Sequence, residues 1–169
     1  MGSKLDYETF LIDLDKKLKY YYEIQKQNIK CCVCCSACCE EGDYPLSDVE
    51  LKHLMKGFLN LDFETRKIVQ VNIKNMVKGG VCPFLIDKKC SVYDYRPIVC
   101  RVHGLAFTGS DGVVVVPFCA NNGKNYADKY KNKILNIEPI KENLNTHALL
   151  NNVEYSEIRY LYDWYNYSK

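Results

Sequence analysis

The chain has 169 residues, of which 47% are hydrophobic and 26% charged, a composition that suits one globular domain with its own core. Twenty-three Lys and Arg stand against 21 Asp and Glu, and the resulting formal charge of +2 is too balanced to indicate a nucleic-acid or membrane surface. The longest apolar run, VVVVPFCA at 113–120, falls far short of the ~20 residues of a membrane helix, and acidic residues interrupt every apolar stretch near the N-terminus, so a cytoplasmic protein is expected.

In chain order, Tyr7, Phe10, Leu11, Leu14, Leu18 and Tyr21 recur at threes and fours opposite Asp13, Asp15, Lys16, Lys17 and Lys19, which predicts an amphipathic helix. A cysteine-rich loop follows, and EEGDYP at 40–45 acts as a breaker. Ser47 with Glu50 three residues on reads as a capping box opening a helix through Leu51, Leu54, Met55 and Phe58. A second cap, Asp62, opens a helix through Val69, Ile73 and Met76 that should stop at Gly79-Gly80.

Residues 82–104 lose the helical period. Phe84 to Ile86 and Ser91 to Tyr93 are expected as arms of a small hairpin, with Asp87, Lys88 and Lys89 as its turn. Pro97 suits the first turn of a short helix that puts Cys100 and His103 on one face. A second hairpin is expected from GLAF and VVVVPF around Asp111-Gly112. Beyond it, helices are expected from about Ala120 to Leu135 and from Ile140 to Tyr167, the latter with Ile158, Leu161, Tyr162 and Tyr165 as its apolar stripe. The expected fold is mainly α with a small β-hairpin element (α+β), a single domain over 1–169 organised around a metal-site core at about 31–119, with helical terminal segments packed on it.

Ten cysteines carry the chemistry, six of them within the nine positions from Cys31 to Cys39. In a reducing compartment such crowding favours metal or catalysis over disulfides. Geometry agrees, because adjacent residues have Cα atoms about 3.8 Å apart, whereas disulfides span roughly 4.4–6.8 Å. Cys32, Cys35, Cys38 and Cys39 form C-x2-C-x2-C-C, and two-residue gaps let consecutive thiolates converge on one ion through a tight turn. Cys82, Cys90 and Cys100 are spaced so that the hairpin and short helix can return all three to that loop.

The same order continues as CPFL at 82–85, CSVY at 90–93, RP at 96–97 and CR at 100–101. On these residues the chain resembles the YkgJ-like cysteine-cluster proteins, a family described as zinc- or iron-chelating. The resemblance implies that Cys32, Cys35, Cys38, Cys39, Cys82, Cys90 and Cys100 are the metal-site residues, that the bound partner is a metal ion or cluster, and that the cofactor is zinc or iron, a [4Fe–4S] cluster included. It also links the chain to flagellin lysine-N-methylases, which are thought to use an iron–sulfur cluster with S-adenosylmethionine. Under that alternative the protein is a cluster-dependent enzyme, methyltransferase-like or redox, although such enzymes are considerably longer. Cys31, Cys34 and Cys119 lie outside the family pattern.

A closed zinc site or a [4Fe–4S] cluster takes about four thiolates, so seven overfill either. Three arrangements follow: two metals bridged by thiolates, a cluster beside redox-active thiols, or one metal with bystanders. A tetrathiolate zinc site carries net charge −2, which places Arg96 and Arg101 as outer cations, against the plainer reading of surface ion pairs. A lone His at 103 without a motif position reads as a packing residue. The 14 tyrosines fit helix edges better than base-stacking platforms, since no basic stripe accompanies them; nucleic acid is disfavoured, and a protein partner stays open.

Overall fold

In a computed structural model, residues 5–31 and 35–166 are described. The first half of the chain forms α1 (Tyr7–Gln25), the single turn α2 (Ala37–Glu40), β1 (Pro45–Ser47), α3 (Asp48–Asn60) and α4 (Phe63–Lys74). Then come the hairpin of β2 (Leu85–Ile86) and β3 (Lys89–Cys90), the short helix α5 (Ile98–Val102), and the hairpin of β4 (Phe107–Thr108) and β5 (Val114–Val115). A third hairpin joins β6 (Tyr130–Lys131) to β7 (Ile134–Leu135), and the chain finishes with α6 (Thr146–Leu149), β8 (Ile158–Tyr160) and α7 (Leu161–Asn166). Mixed helix with small antiparallel pairs matches the expected α+β class.

These elements fall into two compact units, one drawn from 1–32 with 101–154 and the other from 33–100 with 155–169. In the first, Asp6 caps α1 by accepting from the backbone N–H groups of Glu8 and Thr9, and the helix buries Leu11, Leu14 and Leu18 on one face. At its end the buried Gln25 holds both polar groups of one peptide: its Nε2 donates to the Ala106 carbonyl at 3.0 Å and its Oε1 accepts from Ala106 N at 3.1 Å. The enclosed Tyr126 hydroxyl joins them, donating to Gln25 Oε1 and accepting from Ala106 N. Three buried polar groups thus satisfy one another where an unpaired one would cost about 1–3 kcal/mol.

The second unit is built on α3 and α4. The capping box is present, with Glu50 N donating to Ser47 Oγ and Ser47 N to the Glu50 carboxylate, and Asp62 caps α4 as its sequence indicates. Leu54, Phe58, Val69, Phe84, Val92 and Leu161 pack with Leu46 into one core. Phe84 is 1% exposed, and full burial of such a ring is worth about 1.5–3 kcal/mol. The C-terminal segment closes this unit by pairing β8 antiparallel to β1, Leu46 opposite Arg159, while Trp164 Nε1 donates to the Leu46 carbonyl at 2.9 Å. Gly57 lies inside α3, where glycine costs about 1 kcal/mol relative to alanine. A Cβ there would stand 2.5 Å from the Tyr95 ring, so the helix can approach that ring only without one.

Several expectations fail. The helix expected over 120–135 is a 3-10 turn (Phe118–Asn122) followed by the β6–β7 hairpin, and the long C-terminal helix is broken into α6, β8 and α7. The α4 helix ends at Lys74, short of Gly79, which has φ +72°. Lys89 belongs to a strand, leaving Asp87 and Lys88 as a two-residue turn, and Tyr93 lies in a 3-10 turn (Tyr93–Tyr95).

Both two-residue hairpin turns hold non-glycine residues in the left-handed region: Asp87 (φ 48°) with Lys88 (φ 60°), and Asn132 (φ 52°) with Lys133 (φ 63°). Left-handed backbone costs an ordinary residue roughly 1–2 kcal/mol, and glycine's extra unfolded freedom gives back roughly 0.5–1. Lys88→Gly and Lys133→Gly should therefore each stabilise by about 0.5–1 kcal/mol, read as a higher urea midpoint at unchanged slope, and Lys88→Val should lower it.

Candidate metal centre

The site belongs to the second unit and is assembled by a backbone seam. The turn α2 carries Cys38 and Cys39, and the segment after it runs beside the one that leads into β2. Cys82 N donates to the Cys39 carbonyl at 2.8 Å, and Gly42 N donates to the Gly80 carbonyl at 3.0 Å. These two bonds join the first cysteine group to the second across about forty residues. Gly42 sits in the seam itself, where a Cβ would fall 2.5 Å from Cys82 Cβ, 2.7 Å from the Cys39 carbonyl oxygen and 2.9 Å from Cys82 N. Ser91 N donates to the Phe84 carbonyl at 2.9 Å and extends the β2–β3 hairpin, which presents Cys90, while α5 presents Cys100.

Five of the seven expected cysteines come together here. Cys38 Sγ and Cys39 Sγ are 3.9 Å apart. Cys39 feels the charges of Cys38, Cys82 and Cys90, and Cys100 feels those of Cys82, Cys38 and Cys90. Cys82 in turn feels Cys90 and Cys38. Cys35 is half-buried just before α2; Cys32 lies outside the described residues, as does Cys34. None of the eight described cysteines is in a disulfide.

Burial is the main influence on most of these sulfurs. It pushes Cys82 up to about 12 and Cys100 well above the ordinary thiol value, and it raises Cys90, with the neighbouring thiolates adding to each. Cys38 differs, because a hydrogen bond from Cys39 brings it down to about 7, and the same bond raises Cys39. Arg96 is a cation that opposes the accumulated charge, lowering Cys38, Cys90 and Cys100. Its guanidinium is held by Nε donation to the Tyr93 carbonyl at 2.8 Å and stacks 3.5 Å from the centre of the Tyr93 ring.

The other outer cation is placed differently. Arg101 belongs to the first unit, where its Nη1 reaches both oxygens of Asp15 at 2.7 and 2.8 Å. His103 lies in the same unit with its ring 5.4 Å from that of Phe118, and burial lowers its pKa, which fits a packing residue. Cys31 and Cys119 also belong there: Cys31 Sγ accepts from Asn125 Nδ2 at 3.0 Å, and both thiols act on the Tyr126 hydroxyl. Two residues of the site escaped the sequence reading. Tyr44, within the stretch read only as a breaker, has a buried hydroxyl that feels Cys38, Cys100 and Cys39, and Tyr165 feels Cys82. Nothing in their local sequence signalled that these two, among 14 tyrosines, would face sulfur.

A tetrahedral thiolate site with metal–sulfur bonds of about 2.3 Å has sulfurs about 3.8 Å apart, and the Cys38–Cys39 separation of 3.9 Å fits one edge of it. Among the described residues no group of three or more His, Cys, Asp and Glu side chains is already closed around one point. The donor set is soft, thiolate-forming and compensated by a cation, which suits zinc or iron over magnesium or calcium.

Two outcomes follow from this geometry. Gly42→Ala drives a methyl group into backbone atoms that cannot yield without opening the seam; it should destabilise the protein by about 1–3 kcal/mol in urea unfolding and reduce metal uptake, whereas Gly79→Ala, with open space around it, should leave uptake unchanged. The raised thiols also set a pH dependence for the metal-free protein. Unfolded cysteines ionise near pH 8.5, while in the fold Cys82, Cys90 and Cys100 hold their protons to higher pH. The unfolded state thus loses protons first, and the stability present below about pH 8.5 falls as pH rises toward 12, with Cys38 working in the opposite sense. Urea midpoints of reduced, metal-free protein at pH 7, 9 and 10 measure this fall.

The chain was compared with known families, proteins and structures. The profile of the CxxCxxCC family, described as "Putative zinc- or iron-chelating domain", matches residues 30–143 and so includes every cysteine of the gathered group. No curated protein and no solved structure matches significantly. Since that match covers most of the chain and the thiol seam lies inside it, the protein belongs to the CxxCxxCC family of zinc- or iron-chelating domains.

Proposed function

We propose that the chain binds one zinc or iron ion in a thiolate shell drawn from Cys32, Cys35, Cys38, Cys39, Cys82, Cys90 and Cys100, with Arg96 as the compensating cation. The observation that carries this reading is the convergence of Cys38, Cys39, Cys82, Cys90 and Cys100, each within the electrostatic field of others and two of them at a separation suited to a tetrahedral edge. When bound, such an ion replaces the protons on these sulfurs and cross-links α2, the β2–β3 hairpin and α5, three elements too short to hold themselves. In this reading α2, of four residues, and α5, of five, gain their order from the ion as much as from packing.

Arg96 offsets part of the net −2 charge that four thiolates leave on a divalent ion, and its stack on Tyr93 fixes where that charge is delivered. Arg101 is engaged by both oxygens of Asp15, which fixes its guanidinium within the first unit.

The test is metal analysis of protein purified under reducing, anaerobic conditions, followed by cobalt substitution. Stoichiometric zinc or iron without acid-labile sulfide, and tetrahedral thiolate–cobalt absorption, are expected. Cys38→Ser and Cys82→Ser should lose most of that absorption, while Cys31→Ser and Cys119→Ser should keep it. A brown protein with labile sulfide would replace the single ion by a cluster, and protein that takes up neither metal would overturn the reading.

A further inference from the structure

Resting on the metal-binding reading, we propose that Glu50 is a positioning residue for Cys100. Its carboxylate is completely buried although it belongs to the first turn of a helix, where such groups usually reach solvent. One oxygen, Oε2, does the expected work of a capping box, accepting from Ser47 N and Ser47 Oγ, each at 2.7 Å. The other has no part in capping α3. Oε1 accepts from Ile98 N at 2.8 Å, forty-eight positions along the chain.

Ile98 is the first residue of α5 and is itself fully buried, and Cys100 follows two residues later with its N–H bonded to the Pro97 carbonyl at 3.0 Å. Pro97 has no N–H, so the Ile98 N–H is the first donor this turn offers, and Glu50 takes it. A five-residue helix lacks the length to stabilise itself, so the direction of the Cys100 sulfur depends on what anchors the turn from outside. Metal ligands must be held to within roughly 0.5 Å. The buried carboxylate ties the start of α3, the most regular helix of this unit, to the start of the turn that presents the thiol.

The chemistry requires the ionised form. Glutamate accepts from all three donors at once, whereas glutamine would turn an NH2 group toward an N–H donor at one end, and aspartate, one methylene shorter, would reach Ser47 or Ile98 but not both.

The experiment uses the full chain and the variants Glu50→Gln, Glu50→Asp and Ser47→Ala, the last removing the capping hydroxyl while leaving the carboxylate on Ile98. Two readouts are taken: cobalt affinity by chelator competition, and the rate at which iodoacetamide alkylates Cys100 relative to Cys82 in folded, metal-free protein, mapped by mass spectrometry. Glu50→Gln and Glu50→Asp should weaken cobalt binding 10- to 100-fold and accelerate alkylation of Cys100 alone. Ser47→Ala should lower the urea midpoint and move neither. Equal effects of Ser47→Ala and Glu50→Gln on both readouts would reduce Glu50 to a helix cap and overturn the proposal, as would wild-type affinity and alkylation in both Glu50 variants. Wild-type protein that binds no cobalt, with Cys100 alkylation still accelerated only in the Glu50 variants, would sink the metal reading and leave the positioning role standing.

Discussion

Like charges gathered in a poorly solvated place repel, and the thiols of the second unit are gathered in such a place. Each of Cys82, Cys90 and Cys100 is held protonated by burial and by its neighbours. This electrostatic cost explains why the chain invests so much structure around so few atoms: a backbone seam at Cys39 and Cys82, a glycine where the strands of that seam touch, and a cation fixed by stacking. It also explains why proximity alone does not make a metal shell. Protonated sulfurs have no reason to close on an empty point, and a divalent ion supplies the reason by replacing protons with its own charge.

The seam does this work cheaply. Hydrogen bonds between backbone groups are indifferent to side chains, so they tolerate any residue except one that brings a Cβ between them, and Gly42 is the position where that happens. Two cysteine groups separated by about forty residues are then brought together at a cost in loop closure that rises only logarithmically with loop length. The intervening chain forms α3 and α4, whose core of Leu46, Leu54, Phe58, Val69 and Phe84 holds the seam from below.

Much of this was legible in the residues. Ser47, Glu50 and Asp62 announce their helices because capping is local chemistry, and the cysteine spacing announces the site because ligand geometry constrains sequence separation. Where the reading failed, the cause is physical. Asn132-Lys133 makes a tight hairpin turn without the glycine that normally marks one, so residues 120–135 look helical by their apolar period alone. The apolar stripe of Ile158, Leu161 and Tyr165 is divided between a strand and a helix, because β1 offers β8 an edge to pair with, which no local pattern reveals. Glu50 was legible as a cap and illegible as an anchor, since one oxygen serves its own helix and the other a residue forty-eight positions away. Tyr44 could not be told from its fellows for the same reason.

The surplus of thiols looks different once each is assigned to a unit. Cys31 and Cys119, which the family pattern does not call for, belong with Asn125 and Tyr126 in the first unit, where the Cys31 sulfur acts as the acceptor for a buried amide that also receives the Lys30 N–H at 2.8 Å. Cys31 is exposed, and its sulfur serves there as a hydrogen-bond acceptor. Among the sulfurs that do gather, the contact between Cys38 and Cys39 lowers the first and raises the second. Burial holds the protons on Cys82, Cys90 and Cys100, so each of them that serves a metal must release a proton the fold retains, and the turn that Glu50 holds presents one of the three.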